Sequence, residues 1–239
     1  MREIVLKVDN LHIYYKNAKR VSIKKTGINF NKNDYFHCIK GISFEVSKGQ
    51  IIGIFGENGC GKSTLLKSIA GIFSADKGKI NLYNNSISLL SIGVGFQKKL
   101  TGYENILLSG LLLGFKKEKI LAKIDEIIEF SELGDFIYKP VNVYSSGMYS
   151  RLSFSITAVL ETSILLIDEV LSVGDNKFKA KSYNKMRELI KDKDRTVLIV
   201  SHDMSTLKEI CDKLLWLSEG KIKMYDKTET VIEKYIKTV

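Results

Sequence analysis

The stretch QIIGIFGENGCGKSTLLKSIAGIF, residues 50–73, decides the fold. It opens with an apolar run typical of a strand buried on both faces and closes with apolar residues at helical spacing. Between them, Gly56, Gly61, Lys62 and Ser63 match the phosphate-loop pattern G-x-x-x-x-G-K-[ST] in the strand–loop–helix context that it requires. A glycine-rich helix cap is the plain alternative. We favour nucleotide binding by the phosphate loop, whose members are Gly56, Glu57, Asn58, Gly59, Cys60, Gly61, Lys62, Ser63 and Thr64.

The motif assigns chemistry to individual side chains. Lys62 is predicted to neutralise the β and γ phosphates, and the hydroxyl of Ser63 to bind Mg²⁺. Such a site needs a carboxylate at the end of a neighbouring strand, and SILLIDE, residues 163–169, supplies Asp168 and Glu169. We expect Asp168 to hold Mg²⁺ through water and Glu169 to orient and deprotonate the attacking water. An exposed strand end with incidental acids is the alternative.

A histidine follows another apolar strand in TVLIVSHD, residues 196–203. His202 could donate a hydrogen bond to the γ-phosphate or orient the attacking water. A purely structural histidine is the alternative. If the strands are parallel, His202 lies at the same sheet edge as the phosphate loop.

VNVYSSGMYSRLSFS, residues 141–155, places two serines and a glycine where a helical pattern begins. Serine side chains satisfy the free backbone N–H groups of a first helical turn, which favours an N-cap. The same N–H groups and the positive end of the helix dipole also suit a phosphate. Taken alone, this stretch favours the cap.

The alternation of strand and helix patterns predicts an α/β domain with a mainly parallel core. The predicted strands are 3–15, 41–46, 50–56, short segments within 78–90, 163–168, 195–201 and a hairpin around 216–225. The predicted helices are 62–73, several within 102–160, 176–191, a short one between the strand 195–201 and the hairpin, and 228–238. The helical block at 102–160 reads as a subdomain or an insertion.

Bulk properties narrow the class of protein. The net charge of +10 and the pI near 9.3 fit nucleic acid, nucleotide phosphate, an acidic membrane surface or simple solubilising lysines. The three cysteines are far apart, so a reduced cytosolic setting fits best. The first ten residues lack the apolar segment of a signal peptide, and the most apolar run, 106–115, has only ten residues. We therefore expect neither a signal peptide nor a membrane span.

Together these motifs resemble those of ABC-type ATPase subunits. The ordered set adds Gln97 in GVGFQKKLTG (Q-loop), YSSGM at 144–148 (signature) and SVGD ending in Asp175 (D-loop). The resemblance implies a single ABC ATPase domain over 1–239, with a RecA-like core and an antiparallel β subdomain in about 1–96 and 161–239. It implies a helical subdomain over about 97–160 that carries the signature.

The closer resemblance is to the ATP-binding subunits of O-antigen, capsular and teichoic-acid type polysaccharide exporters. It rests on LSIGVGFQKKLTGYENILLSGLLLG, VYSSGMYSRLSFSI and IDEVLSVGD. It implies ATP with Mg²⁺, a homodimer, a separate multi-spanning membrane permease and a lipid-linked glycan, at the cytoplasmic face of the cell membrane. It implies no nucleic-acid partner, and we expect no carbohydrate-binding domain after the core. The rival classes are another importer or exporter ATPase and, less favoured, a soluble ABC protein acting on ribosomes or DNA.

The resemblance also implies site residues. Tyr15 is matched to the aromatic that stacks on adenine, with Tyr14 and Phe36 as rivals, and Gln97 to the residue that touches Mg²⁺ or the attacking water. Each ATP would lie between the phosphate loop of one chain and the signature of the other, and Asp175 would face that site. The signature residues are Tyr144, Ser145, Ser146, Gly147 and Met148, of which Tyr144, Ser146 and Met148 depart from Leu-Ser-Gly-Gly-Gln.

Two further segments keep more than one interpretation. The basic segment 16–36 holds six Lys or Arg against one Asp, and suits anionic lipid, the pyrophosphate of a glycan carrier, or plain solvent. The apolar run 106–115 suits either a docking groove for the permease or ordinary core packing.

Overall fold

The computed structural model describes residues 3–16, 35–90, 95–168, 176–192 and 194–238. The strands are β1 Ile4–Lys16, β2 Tyr35–Ser47, β3 Ile51–Phe55, β4 Lys77–Asn81, β5 Ile87–Leu90, β6 Ile164–Ile167, β7 Thr196–Val200, β8 Lys213–Ser218 and β9 Lys221–Lys227. The helices are α1 Lys62–Ile69, α2 Gly102–Leu112, α3 Lys117–Ser131, α4 Ser146–Leu160, α5 Asn176–Lys191, α6 Met204–Ile210 and α7 Thr228–Ile236. Short 3₁₀ segments occupy Gly134–Tyr138 and Val141–Val143.

The larger sheet places the predicted site residues at one edge. Its strand order is β5-β6-β7-β3-β8-β9, parallel throughout except for the antiparallel β8–β9 pair. Strands β3, β6 and β7 are buried almost throughout because Ile, Leu and Val fill them and other elements cover both faces. Their carboxyl ends meet at one edge, since Ile54 pairs with Val200 and Ile167 with Ile199. The predicted parallel core is confirmed.

A second, three-stranded sheet with the order β2-β1-β4 is antiparallel, as the resemblance implies. Its inner face shares one hydrophobic core with β3 and α1, including Leu6, Phe44, Ile52 and Leu65. The strand expected at 41–46 begins earlier, at Tyr35, because the aromatic and apolar residues before Gly41 pair with the end of β1. Of the basic segment 16–36, residues 17–34 lie outside the described part.

The predicted helical block has its own core, formed where α2, α3 and α4 pack together. Gly110 allows close approach of α2 and α3, because a Cβ there would lie 2.6 Å from Ile120 Cδ1. The apolar run 106–115 divides between two environments: Ile106 is fully buried, whereas Leu111 and Leu112 are more than half exposed. Among the described residues, no helix combines the length and the apolar character that crossing a bilayer demands.

One predicted helix is too long. The pattern at 62–73 continues past Ile69, but α1 ends there and Gly71 takes a left-handed conformation with φ +75°. Glycine reaches this region without strain and so ends helices readily.

Candidate nucleotide site

The phosphate loop is shaped by three left-handed glycines. Gly56, Gly59 and Gly61 have φ of +146°, +78° and +108°. A Cβ on Gly56 would lie 1.9 Å from the carbonyl oxygen of Leu217, and one on Gly61 would lie 2.8 Å from Ile39 Cδ1. A side chain at either position would therefore displace the loop from β8 or β2.

The ammonium of Lys62 curls back over this loop. Its Nζ donates to the carbonyl oxygens of Gly56 at 2.9 Å and Glu57 at 3.0 Å, and the residue is only 7% exposed. Backbone N–H groups around a concave loop and a fixed cation above it form a cradle for phosphate. The residues present fit a nucleoside triphosphate.

Ser63 and Asp168 come together across the sheet edge. Ser63 Oγ donates to Asp168 Oδ1 at 3.1 Å, although 105 residues separate the two in sequence. A hydroxyl and a carboxylate beside phosphate oxygens are the hard oxygen ligands that Mg²⁺ prefers. The pair fits the predicted metal site, whereas Glu169 and Asp175 lie outside the described residues.

His202 is brought to the same edge. It follows β7, is exposed, and lines a cavity of about 310 Å³ together with Gly56, Glu57 and Asn58. Asp203 caps α6 next to it, and hydrogen bonds from the hydroxyls of Ser205 and Thr206 lower the pKa of that carboxyl to about 2. The residue after His202 is thus an anion at neutral pH.

Tyr15 lies beside the phosphate loop. Its hydroxyl hydrogen-bonds with Thr64 Oγ1 at 3.1 Å, its ring packs edge-on against Phe73, and it is 37% exposed. The rival Tyr14 stacks on His37 instead, with the ring centroids 4.1 Å apart. Phe36, the other rival, is exposed opposite Tyr15 in the β1–β2 register. Stacking of adenine on Tyr15 stays a prediction.

Gln97 is exposed, and its backbone is held by a residue that the sequence reading missed. The buried Asn105 accepts a hydrogen bond from the Gln97 N–H at 2.7 Å and donates to the Gln97 carbonyl at 3.1 Å. A signal was available, because Asn105 shares the buried face of α2 with Ile106 and Ser109. A polar amide on the buried face of a helix requires hydrogen-bond partners.

The signature turn begins α4 as predicted. Ser145 is the N-cap, and its side chain accepts a hydrogen bond from the Met148 N–H at 3.2 Å. Tyr144 donates its phenol proton to the carbonyl of Phe136 at 2.7 Å, and burial raises its pKa. Ser146 is exposed. Among the described residues, no hydrogen bond joins this turn to the phosphate loop of the same chain.

Comparison with known proteins decides the family. A family model described as ABC transporter matches residues 39–172, more than half of the chain. The O-antigen export system ATP-binding protein RfbB of Klebsiella pneumoniae is 43% identical over 204 residues, which cover 85% of this chain and 82% of that protein. The chain belongs to the ABC transporter family.

Other relatives of this ABC chain are longer. The teichoic acids export ATP-binding protein TagH of Lactococcus lactis is 43% identical over 224 residues, covering 94% of this chain but 48% of that protein. TagH of Bacillus anthracis is 45% identical over 202 residues, which cover 84% of this chain and 36% of that protein. The chain thus spans half or less of the length of these two curated relatives.

Solved structures agree on the ABC fold. An ATP-binding subunit of an ABC transporter superposes with a TM-score of 0.71 at 19% identity, covering 97% of this chain and 93% of that one. A dimeric ATP-binding cassette in a post-hydrolysis state, bound to ADP and Pi, gives a TM-score of 0.67 at 19% identity, covering 93% and 98%. At these identities, the likeness concerns the fold.

Proposed function

We propose that this chain binds and hydrolyses ATP as the nucleotide-binding subunit of an exporter for a lipid-linked polysaccharide of O-antigen, capsule or teichoic-acid type. The observation that carries the ATPase assignment is the Lys62 ammonium over the phosphate loop, next to the Ser63–Asp168 pair. The names of the relatives at 43% identity support the export assignment.

In the proposed mechanism, the chain's own residues position the triphosphate. Lys62 and the N–H groups of the phosphate loop bind its oxygens, while Ser63 and Asp168 would hold Mg²⁺. Mg²⁺, when bound there, would supply positive charge that offsets the charge of the triphosphate. Glu169 would take a proton from the attacking water, and His202 would donate to the γ-phosphate from the cavity wall.

The partner arrangement follows from the signature turn. Among the described residues, the Ser145 turn makes no hydrogen bond to the phosphate loop of its own chain, so we propose that its N–H groups bind the triphosphate held by a second copy. Hydrolysis would then separate two chains that the closed state joins, since a ligand favouring one state shifts the population toward it. Gly147 would allow the second chain's nucleotide to approach closely, and Asp175 would face the same interface.

A groove with exposed apolar side chains is consistent with the proposal of a separate membrane subunit. It has a volume of about 590 Å³, and Ile72, Tyr83 and Leu112, each at least 44% exposed, line it. Exposed apolar side chains around a concavity are typical of a docking surface. We propose that the membrane-spanning subunit docks here and that the chain is a peripheral subunit at the cytoplasmic face of the membrane.

The ATPase assignment is tested with Lys62→Ala and a matched control, Lys67→Ala, on the same helix. Lys67 is partly exposed one turn beyond the loop. We expect the Lys62 variant to lose ATP binding in equilibrium titrations and the Lys67 variant to retain it. Equal ATP affinity in both variants would contradict the assignment.

The export assignment needs a separate measurement. A host lacking the chain should accumulate the lipid-linked glycan on the cytoplasmic side, and the wild-type chain, but not the Lys62 variant, should restore surface glycan. Normal surface glycan in the deletion host would redirect the ATPase to another transporter class.

A further inference from the structure

Asn105 ties the Q-loop residue to the first turn of α2. Its side chain is completely buried and makes four hydrogen bonds. The carbonyl oxygen accepts from the Gln97 N–H at 2.7 Å, and the two hydrogens of the amide nitrogen are shared among the carbonyls of Gln97, Leu100 and Thr101 at 3.1, 3.2 and 2.8 Å. A buried amide satisfied on both sides is held in one orientation, because moving it away from these partners would leave the amide itself unpaired and away from water.

The same loop is paired with the segment that leads into the signature. Residues 98–102 run beside residues 139–142 and form an isolated antiparallel bridge between Thr101 and Pro140. The backbone bonds are Asn142 N–H to Lys98 at 2.9 Å, Val141 N–H to Leu100 at 2.9 Å and Gly102 N–H to Lys139 at 3.2 Å. These bonds fix the loop after Gln97 to the chain two residues before Tyr144.

Tyr144 completes the link to Ser145. Its hydroxyl donates to the Phe136 carbonyl, and its phenol lies against the start of α2, where a Cβ on Gly102 would come within 2.3 Å of the phenol oxygen. The next residue, Ser145, caps α4. A continuous set of hydrogen bonds and close contacts therefore runs from Gln97 to the signature turn.

We propose that Asn105 is a positioning residue that makes Gln97 and Ser145 move as one body. Resting on the proposed function, this joins the two nucleotide sites of a dimer: Gln97 senses the metal and phosphate bound by its own chain, and Ser145 contacts those bound by the second copy. A packed unit with buried hydrogen bonds shifts between discrete positions as a whole. Asn105 keeps Gln97 inside that unit.

Hydrogen exchange with and without Mg²⁺ and ATP tests the link in three segments of one protein. In the wild type, we expect nucleotide to slow exchange in the phosphate loop, in residues 95–102 and in residues 144–149. In Asn105→Ala, the phosphate loop should still gain protection, whereas the other two segments should lose most of theirs. The kcat should fall about 10- to 100-fold, the usual effect of a misplaced group, with equilibrium ATP affinity changed less than about twofold.

A buried hydroxyl in the same subdomain provides the structural control. Ser131 is completely buried, and its hydroxyl donates to the Ile128 carbonyl at 2.8 Å, away from both segments. Ser131→Ala should lower the melting temperature without changing the exchange pattern or kcat. If Asn105→Ala does not fold, Asn105→Ser, which retains one donor, should show the same pattern in weaker form.

The outcomes separate the two levels of the proposal. Nucleotide protection of residues 144–149 that survives in the folded Asn105 variant would overturn the link and leave the ATPase assignment intact. A wild-type phosphate loop that gains no protection from Mg²⁺ and ATP would instead contradict the proposed function itself.

Discussion

The glycines of the site differ in what a side chain in their place would meet. A side chain at Gly56 or Gly61 would collide with this chain's own atoms. Gly147 differs, because it lies in α4 without a left-handed φ. The nearest atom that a Cβ there would meet, apart from the helix backbone and the adjacent residues, is Ser145 Oγ at 3.8 Å. Nothing within the described chain requires glycine there, although glycine in a helix is disfavoured relative to alanine.

We therefore predict opposite effects of Gly147→Ala on stability and on function. Without nucleotide, the variant should unfold at a slightly higher temperature, since alanine in place of helical glycine stabilises by up to about 1 kcal/mol. With Mg²⁺ and ATP, it should dimerise and hydrolyse ATP more weakly, because the methyl group would occupy the approach path of the second chain's nucleotide.

Calorimetry and sedimentation on the same samples check the Gly147 prediction. Ser150→Ala, at a half-buried position one turn further along α4, is the matched control and should leave ATP-dependent dimerisation unchanged. Wild-type dimerisation and hydrolysis in Gly147→Ala would mean that this glycine faces only solvent.

The phosphate loop could be predicted residue by residue, whereas for Asn105 the sequence signals only a buried amide that needs partners and does not say which partners those are. Glycine spacing and a following Lys-Ser specify a local shape that needs no distant partner. The four bonds of Asn105 depend on how residues 97–101 fold back over α2, which no local pattern encodes. Glu169 and Asp175 remain predictions because they lie outside the described residues.

At the scale of elements, the first turn of α4 has one observed role and one proposed role, and one substitution can separate them. Ser145 caps the helix, and the same N–H groups are proposed to bind phosphate. Aspartate is also a good N-cap, and its charge suits the positive end of the helix dipole. Aspartate therefore preserves the cap while placing an anion where a phosphate would bind.

We predict that Ser145→Asp keeps the unfolding free energy within about 0.5 kcal/mol of wild type but abolishes ATP-dependent dimerisation. Ser145→Ala should instead lose about 1 kcal/mol of stability as the cap is removed. Chemical denaturation measures the first effect and sedimentation with Mg²⁺ and ATP the second. If Ser145→Asp dimerises normally, the turn is a cap alone.

The predicted order of elements is confirmed along most of the described chain, and the exceptions have local causes. Strand β2 begins at Tyr35, before the predicted residue 41. The prediction missed this start because the first residues of β2 follow a basic polar run that hides their alternation. Pairing with β1 supplies the hydrogen bonds that make this stretch a strand. Helix α1 ends early because Gly71 accepts a left-handed conformation.

For the molecule as a whole, we propose that one chain supplies halves of two different sites. The phosphate loop and the signature turn share no hydrogen bond within the described residues, yet both present backbone N–H groups suited to phosphate. A two-fold symmetric dimer resolves this, because residue i of one chain then meets residue j of the other and the reverse. Two equivalent composite sites would result.

This arrangement predicts complementation between two inactive variants. Lys62→Ala damages the phosphate loop, and Ser145→Asp damages the signature turn. In a mixed dimer, one site combines both defects, while the other joins the intact phosphate loop of the Ser145 variant to the intact turn of the Lys62 variant. An equimolar mixture should recover up to about one half of wild-type ATPase, because neither variant is expected to form ATP-dependent dimers by itself, so that the dimers that form are mixed and each has one good site of two.

The complementation experiment has a built-in control for simple stabilisation by mixing. The Lys62 variant combined with a Lys62→Ala, Ser145→Asp double variant contains no intact phosphate loop in any pairing and should stay inactive at every ratio. If the first mixture also stays inactive while sedimentation shows that mixed dimers form, either each site is complete within one chain or both sites must be intact together. Titrating the wild type with the double variant separates these cases, because only obligatory cooperation makes activity fall with the square of the wild-type fraction.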